Sequence, residues 1–206
     1  MTIQKMNPSN QTERHNERMR RTKEIVDQRI AEAQEERGVF ILLTGNGKGK
    51  SSSAFGMVAR ALGHGQKTAI IQFVKGRMET GEQTFFSQQD QVDFYVMGDG
   101  FTWETQNRDK DIASAQQAWK IAQKILQDPR YDLVVLDEMT YLFKYNYLDL
   151  DEVISTIKQR PKMQNVIITG RGAKKPLKQA ADTVSVIMDE KHAFKAGVKA
   201  QKGIEW

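Results

Sequence analysis

Cysteine is absent from this chain of 206 residues, which excludes disulfide bonds, thiolate metal sites and a thiol nucleophile. Its absence fits the reducing cytoplasm, where we expect the protein to be found. No apolar run approaches the roughly 20 residues of a membrane span, and residues 1–16 lack the apolar segment of a signal peptide. The three histidines have no spacing suited to a metal, and the sequence shows no Ser-His-Asp arrangement.

The charge and length of the chain limit its possible partners and its domain organisation. A formal net charge of +5 suits anionic small molecules and does not require nucleic acid as a partner. The length allows one hydrophobic core with a small appendage. Composition divides the chain into a charged helical arm, residues 1–37, and a domain, residues 38–206.

The arm interleaves acidic and basic residues between Gln11 and Arg37, and residues 1–10 are expected to be disordered. Val26, Ile30 and Ala33 form a thin apolar stripe at helical spacing. A helix this polar is not a core element. Composition favours a solvated helix with charge pairs between successive turns. The functional alternative is a flap, or an arm that contacts a partner.

From Gly38 onward, short apolar runs alternate with helical patterns. The predicted strands are Val39–Leu43, Thr68–Val74, Val92–Met97, Leu133–Leu136, Val166–Thr169 and Thr183–Met188. The predicted helices are Gly49–Leu62, Thr105–Gln127, Asp149–Gln159 and Lys175–Ala181, and residues 190–206 are expected to form a loop. Four of the strands are continuous apolar runs, as in parallel sheets buried on both faces. The sequence therefore predicts an α/β fold, with a mostly parallel sheet and helices on both faces.

The most informative stretch is a glycine-rich segment between the first predicted strand and its helix, Thr44-Gly45-Asn46-Gly47-Lys48-Gly49-Lys50-Ser51. Strand, turn and helix in this order form a P-loop, whose backbone N–H groups surround the phosphates of a nucleotide. Lys50 adds a positive charge, and the hydroxyl of Ser51 is placed to hold Mg²⁺. The pattern departs from the usual one only at Thr44, where a glycine is expected. We therefore predict a P-loop, RecA-like domain.

An acidic pair, Asp137-Glu138, closes the apolar strand Leu133–Leu136. An acid at this place is the Walker B pattern, which meets the Mg²⁺ of the P-loop. The ion prefers hard oxygen ligands, so carboxylates and a serine hydroxyl suit it. An acid that caps a turn is the alternative, but the phosphate loop favours the metal role. The sequence leaves open which of the two acids binds the ion.

Two arginines are candidate phosphate ligands. Arg171 follows the fifth predicted strand at the binding edge of the sheet, and Arg60 lies on the helix of the P-loop. Either side chain could equally be a surface residue.

Aromatic residues occur in two predicted loops. Phe101 and Trp103 lie between the third strand and the long helix, where they either pack in the loop or face a large planar ligand. A second group follows the fourth strand and suggests a second ligand or an interface, with core packing as the default: Tyr141, Phe143, Tyr145 and Tyr147.

Several segments in this order resemble one family, the P-loop ATP:corrinoid adenosyltransferases, also called cob(I)alamin adenosyltransferases. The likeness covers nearly the whole chain, including the arm. One departure is Ser51-Ser52, where the family often has two threonines; serine keeps the hydroxyl that a metal needs. The matching segments are Glu35–Gly38, Thr44–Ser52, Ala59–Gly65, Gln72–Gly76, Gly100–Thr105, Val135–Tyr141, Ile168–Gly172, Lys191–Phe194 and Gly203-Ile204.

The resemblance implies an enzyme that binds Mg-ATP and a corrinoid whose cobalt has been reduced to Co(I). Cobalt attacks C5′ of the ribose and triphosphate leaves, which gives a cobalt–carbon bond as in adenosylcobalamin. It implies that ATP lies in the P-loop in the reverse sense to that in hydrolases. The residues expected to hold the nucleotide are Gly45, Asn46, Gly47, Lys48, Gly49, Lys50, Ser51, Ser52, Arg60 and Arg171.

The resemblance also assigns catalytic roles to Lys50, Phe101 and Trp103. The two aromatic residues would fill the lower face of the cobalt and displace its axial ligand, which makes Co(I) easier to reach. The arm would close over the corrinoid in a homodimer. A reduced flavodoxin-like flavoprotein or a flavin is the expected electron donor, and neither a membrane nor nucleic acid is an expected partner.

Two other classes of function remain open. One is a P-loop ATPase or phosphotransferase, which could act on nucleic acid through the basic tail, residues 191–202. The other is a carrier that binds a corrinoid or a nucleotide without turnover.

Overall fold

The computed structural model describes residues 8–74, 79–96 and 108–205. Its internal contacts divide the chain into two compact units, Met1–Glu36 and Arg37–Trp206. The first unit contains helix α1, Pro8–Glu32, whose described side chains are almost all exposed. Ion pairs between successive turns join Glu17 to Arg20 and Lys23 to Asp27. Charge pairs between successive turns were expected of a solvated helix at this place. The charged segment was predicted to extend to Arg37, but α1 ends at Glu32.

The second unit is the α/β domain. Its strands are β1 (Phe40–Thr44), β2 (Thr68–Gln72), β3 (Val92–Val96), β4 (Leu133–Asp137), β5 (Asn165–Gly170) and β6 (Thr183–Val186). Its described helices are α2 (Lys50–Gly63), α3 (Gly81–Phe86), α4 (Arg108–Leu126), α5 (Thr140–Lys144), α6 (Leu150–Lys158) and α7 (Lys175–Ala180), followed by a short 3₁₀ helix at Ala193–Ala196.

The six strands form one sheet in the order β3-β2-β4-β5-β1-β6, and every neighbouring pair is parallel. The register places Leu136 of β4 opposite Ile71 of β2 and Ile168 of β5. All six strands therefore end at the same edge of the sheet, where ligands bind in folds of this type. The predicted α/β fold with a parallel sheet is confirmed, and the sheet is parallel throughout.

Two hydrophobic clusters cover the two faces of the sheet. Alternate strand residues such as Leu42, Ile71, Leu136 and Ile168 belong to one cluster, which also contains side chains of α4, α6 and α7. The residues next to them, Leu43, Ile70, Val135 and Ile167, belong to the other cluster, with side chains of α2 and α3. Because successive strand residues point to opposite faces, helices lie on both sides of the sheet, as predicted.

Two short helices lie in segments that the sequence did not identify as helical. α3 lies in the polar stretch after β2 and is capped by Thr80, whose side chain accepts a hydrogen bond from Gln83 N. α5 contains part of the aromatic group after β4, and Phe143 and Tyr147 are buried in the core. Helices of five or six residues are too short to show a periodic pattern. Core packing, the default expectation for these aromatics, holds for Phe143 and Tyr147.

The edge strand β6 is joined to the rest of the domain at its beginning. The guanidinium of Arg37 donates two hydrogen bonds of 2.8 Å to the carboxylate of Asp182, which also accepts from Phe40 N at 2.7 Å. These bonds hold the pKa of Asp182 at about 2, below its usual range. The contact joins the start of β6 to the start of β1, and Ile187 N donates a hydrogen bond of 2.7 Å to Thr44 O at the other end of the pair. None of the helices in the described part of the chain is long and apolar enough to cross a membrane.

Candidate active site

The P-loop joins β1 to α2 at the carboxyl edge of the sheet. Thr44, the residue that departs from the usual pattern, is still the last residue of β1 and is buried. It is paired in the sheet with Gly170 on one side and Val186 on the other. A strand position accepts a β-branched residue readily, so threonine in place of glycine does not disturb the loop that begins at Gly45.

Two glycines of the loop lie against the chain that follows β6. A Cβ atom on Gly45 would lie 2.3 Å from the carbonyl oxygen of Ile187, and Gly45 has a φ of +108°. A Cβ atom on Gly47 would lie 2.4 Å from the carbonyl oxygen of Met188. Gly47 N also donates a hydrogen bond of 2.8 Å to Ile187 O. Any larger residue at these two positions would push the loop away from the segment that follows β6.

Lys50 begins α2 and is buried, with 6% of its surface exposed. Its ammonium donates a hydrogen bond of 2.6 Å to the carbonyl oxygen of Gly47, which holds the side chain along the loop. Burial lowers the pKa of Lys50, Arg171 lowers it further, and the nearby Glu138 opposes this effect. The side chain is thus a positive charge held in place before any ligand arrives.

The acidic pair lies at the end of β4, between the ends of β2 and β5. Asp137 is buried, and one of its carboxylate oxygens accepts from the hydroxyl of Thr169 at 2.7 Å. Its other oxygen accepts from the side-chain amide of Gln72 at 3.1 Å. Both oxygens are therefore oriented by side chains from the neighbouring strands.

Glu138 has an unusual backbone, with a φ of +57° in the left-handed region. This conformation costs a residue other than glycine about 1–2 kcal/mol. The cost is offset in part by a hydrogen bond of 2.8 Å that Glu138 N donates to Thr169 Oγ1. The turn directs the side chain of Glu138 into the space beside Lys50 and Asp137.

Burial is the main cause that raises the pKa of Glu138 to about 7, and the carboxylate of Asp137 raises it further. The positive charges of Lys50 and Arg171 act in the opposite direction. Within the described part of the chain, its Oε2 atom is buried without a hydrogen-bond partner. A cation at this point would relieve both the desolvation of Glu138 and its repulsion by Asp137.

These groups surround one cavity of about 260 Å³. The cavity brings together most of the predicted site residues: Gly47, Lys48, Gly49, Lys50, Ser51, Ser52, Asp137, Glu138 and Arg171. Side chains from distant parts of the chain complete its wall, among them Gln72 and Glu205. The cavity thus brings cationic side chains and glycine backbone together with the carboxyl groups of Asp137 and Glu138, which suits a polyphosphate with a divalent cation.

A second cavity, of about 510 Å³, lies beyond Arg171. Asn46 of the P-loop and Arg171 line it, together with Asp189, His192 and a stretch of the C-terminal tail, residues 193–205. Four residues line both cavities: Arg171, His192, Ile204 and Glu205. The tail, which the sequence assigned to a loop, is therefore part of the wall of both cavities.

We call the first cavity the phosphate cavity. Within the described part of the chain, three predicted site residues do not line it: Gly45, Asn46, which lines the second cavity, and Arg60. Arg60 is exposed in the last turn of α2, about 15 Å along the helix from Lys50. The role of Arg60 in nucleotide binding stays a prediction. Phe101 and Trp103 lie outside the described residues, so their roles stay predictions.

Sequence reasoning missed several residues at or beside the site, among them Gln72, Thr169 and Glu205. Gln72 ends β2 and Thr169 is the next-to-last residue of β5, on either side of β4. A known strand order would have identified them as neighbours of Asp137. Glu205 forms an ion pair of 2.9 Å with Lys48 of the P-loop. No pattern in the sequence indicates a contact between residues so far apart along the chain.

The parallel sheet, the P-loop and the acidic pair at the end of β4 define a P-loop nucleotide-binding protein. The model of the family "ATP:corrinoid adenosyltransferase BtuR/CobO/CobP" matches residues 36–206. A second model, "Cob(I)alamin adenosyltransferase N terminal", matches residues 5–30. The chain belongs to the ATP:corrinoid adenosyltransferase family, which confirms the resemblance found in the sequence.

Several curated relatives match along nearly their whole length. The chain is 57% identical to a corrinoid adenosyltransferase of Pseudomonas aeruginosa, with 94% of this chain and 96% of that protein aligned. It is 50% identical to a corrinoid adenosyltransferase of Escherichia coli, with 94% and 98% aligned. It is 51% identical to the corrinoid adenosyltransferase CobA of Salmonella typhimurium, with the same shares aligned.

Proposed function

We propose that this chain transfers the 5′-deoxyadenosyl group of ATP to the Co(I) centre of a reduced corrinoid and releases triphosphate. The observation that carries the proposal is the cavity in which the P-loop, the acidic pair and Arg171 meet. It lies in a chain that matches an ATP:corrinoid adenosyltransferase model over residues 36–206. Membership of the family supports the type of reaction, and the cavity is a suitable binding site for the triphosphate that leaves.

The reaction needs no nucleophile from the protein, because the electron pair comes from Co(I). The cobalt–carbon bond forms as the bond between C5′ and its oxygen breaks, and the electron pair of that bond leaves with the triphosphate. The protein must hold C5′ in line with cobalt and stabilise the charge of the leaving group. Lys48, Lys50 and the P-loop amides serve the second task in this proposal. ATP would lie in the loop with its sugar towards the second substrate, in the reverse sense to that in hydrolases.

We assign Ser51, Asp137 and Glu138 to a Mg²⁺ ion that accompanies ATP. The unpartnered Oε2 of Glu138 and the raised pKa of this residue support a cation at this point. Two carboxylates and a hydroxyl suit Mg²⁺, which completes its shell with phosphate oxygens and water. No group of three or more His, Asp or Glu that could hold a metal occurs within residues 8–74, 79–96 and 108–205, so the ion would depend on ATP for its other ligands. When bound, Mg²⁺ offsets the charge of the triphosphate.

We propose further that Phe101 and Trp103 contact the corrinoid. By the resemblance, aromatic residues at these positions would lie on the lower face of the cobalt and would displace its axial ligand. A cobalt without that ligand accepts an electron more readily. A reduced flavodoxin-like flavoprotein or a free flavin would supply the electron.

The remaining expectations concern the setting of the enzyme. We propose that it acts in the cytoplasm as a homodimer and that α1 belongs to an arm that closes over the corrinoid. Nucleic acid has no role in this proposal. In the basic tail, Lys195 forms an ion pair of 2.5 Å with Asp189, so one of the positive charges of the tail is already paired within the protein.

An anaerobic assay tests the proposal. The protein is mixed with Mg-ATP and chemically reduced cobalamin, and the visible spectrum is followed until the light-sensitive cobalt–carbon product has formed. Controls omit ATP, omit the reductant, or replace the protein with Lys50→Ala. Formation of the product only in the complete mixture supports the proposal. Tight corrinoid binding with no spectral change on addition of ATP would instead indicate a carrier.

A further inference from the structure

We propose that Thr169 is a positioning residue for the metal-binding acids, and that its hydroxyl sets the affinity of the site for Mg²⁺. The inference rests on the proposed role of Asp137 and Glu138 as metal ligands. Thr169 is fully buried near the end of β5 and is not one of the residues that line the phosphate cavity. It therefore acts on the site through its hydrogen bonds.

The register of the sheet brings three polar side chains to one level. Gln72 is paired directly with Asp137 across β2 and β4. On the other side, Leu136 is paired with Ile168, which puts Thr169 beside Asp137. The three neighbouring parallel strands thus each contribute one polar group at their carboxyl ends.

The hydroxyl of Thr169 makes two bonds with opposite roles. Its oxygen donates its proton to Asp137 Oδ1 at 2.7 Å and accepts from the backbone N–H of Glu138 at 2.8 Å. One bond fixes the direction of the first carboxylate. The other holds the left-handed turn, with φ of +57°, that directs the second acid into the cavity.

The arrangement leaves acceptor capacity for a cation. Asp137 Oδ1 accepts from Thr169 and Oδ2 accepts from Gln72. Each carboxylate oxygen can accept a further contact, so both stay available to a metal or to a metal-bound water. Partners of this kind orient metal ligands, and their loss commonly lowers metal affinity about 10- to 100-fold.

The test compares Thr169→Val, which keeps the shape but removes the hydroxyl, with Thr169→Ser, which keeps the hydroxyl. ATP binding to the full chain is measured by calorimetry, first without Mg²⁺ and then at increasing Mg²⁺, to give the Mg²⁺ concentration that produces half of the effect. We expect this concentration to rise about 10- to 100-fold in Thr169→Val and to stay near that of the unmodified protein in Thr169→Ser. ATP affinity without Mg²⁺ should not change in either variant.

Thr68 offers a matched control in the same sheet. It is a fully buried threonine at the start of β2, and its hydroxyl is unpartnered in the described part of the chain. Thr68→Val should leave the response to Mg²⁺ unchanged. Should Thr169→Val not fold, Thr169→Cys retains similar bulk with a much weaker donor, and the same loss of Mg²⁺ affinity is expected of it.

The outcomes separate the inference from the proposal on which it rests. The role of Thr169 alone would be overturned if ATP binding by the unmodified protein responds to Mg²⁺ and the variants without the hydroxyl, Thr169→Val or Thr169→Cys, respond equally well. A loss of ATP affinity without Mg²⁺ as large as the loss with Mg²⁺ would also overturn it, because it would show a general disturbance of the loop. An unmodified protein that binds ATP with no response to Mg²⁺ would overturn the metal site and the inference together.

Discussion

Lys48 of the P-loop and Glu205 of the C-terminal tail form an ion pair of 2.9 Å at the phosphate cavity. The tail therefore brings a negative charge to the place where the proposed substrate carries its own. A polyphosphate that binds here must compete with Glu205 for Lys48, or must move the carboxylate away.

Removal of this charge should tighten the binding of nucleotide. We expect Glu205→Gln to lower the dissociation constant for ATP about two- to five-fold, because a partly exposed ion pair is weak. Calorimetry without Mg²⁺ measures the effect directly. Glu190→Gln is the control, since Glu190 is an exposed acid of the same tail that lines neither cavity. Equal tightening by both variants would mean that only net charge matters.

Lys50→Ala should weaken triphosphate binding and slow transfer by about 10²–10³-fold, as the loss of one charged contact to a leaving group commonly does. The prediction follows from the burial of Lys50 and its 2.6 Å bond to Gly47 O. The measurements are the dissociation constant for ATP and the rate of product formation. Lys120→Ala, on an exposed position of α4, serves as the control. An unchanged ATP affinity in Lys50→Ala would contradict the assignment.

The acid Glu138 should make the stability of the ligand-free protein depend on pH. Its pKa is raised from 4.5 to about 7, so the native state holds the proton more tightly than the unfolded chain does. The free energy of unfolding should therefore fall as the pH rises from about 4.5 to about 7.

Glu138→Gln should lack this loss, which is on the order of 2–3 kcal/mol. Denaturant unfolding at about pH 5 and about pH 8, without Mg²⁺, checks the difference between the two proteins. Relative to the unmodified protein, Glu138→Gln should have a larger free energy of unfolding at about pH 8 than at about pH 5. The same difference at both pH values would show that the pKa of Glu138 is not raised.

Trp103→Ala tests the proposed contact with the corrinoid. We expect the variant to bind ATP with unchanged affinity but to reduce bound Co(II) poorly, because the axial ligand would stay on the cobalt. Spectra of Co(II)cobalamin bound with ATP report the change from five to four ligands. Trp119→Phe is the control substitution, at a buried tryptophan in the core. If the spectral change persists in full in Trp103→Ala, the role assigned to Trp103 is wrong.

The sequence predicted those parts of the site that are contiguous along the chain. The P-loop is readable because Gly45 to Ser51 lie between a strand and a helix, and the acidic pair because it ends an apolar strand. The sheet was predictable for a similar reason, since continuous apolar runs alternate with helical patterns.

The rest depends on strand order and on distant contacts. The bonds of Asp137 to Gln72 and Thr169 require β4 to lie between β2 and β5, and periodicity does not determine that order. The pair of Lys48 with Glu205 depends on the path of the tail. Arg60 was a candidate because it shares a helix with Lys50, and its position ten residues along that helix leaves its role a prediction.

The phosphate product formed from ATP tests the central claim most directly. The protein, Mg-ATP and reduced corrinoid are incubated without oxygen, and the phosphorus products are resolved by ³¹P NMR. The account predicts intact triphosphate in an amount equal to the cobalt–carbon product, and none when the reduced corrinoid is omitted. Formation of ADP or AMP in place of triphosphate, or turnover of ATP without corrinoid, would contradict it and would indicate a P-loop ATPase or phosphotransferase.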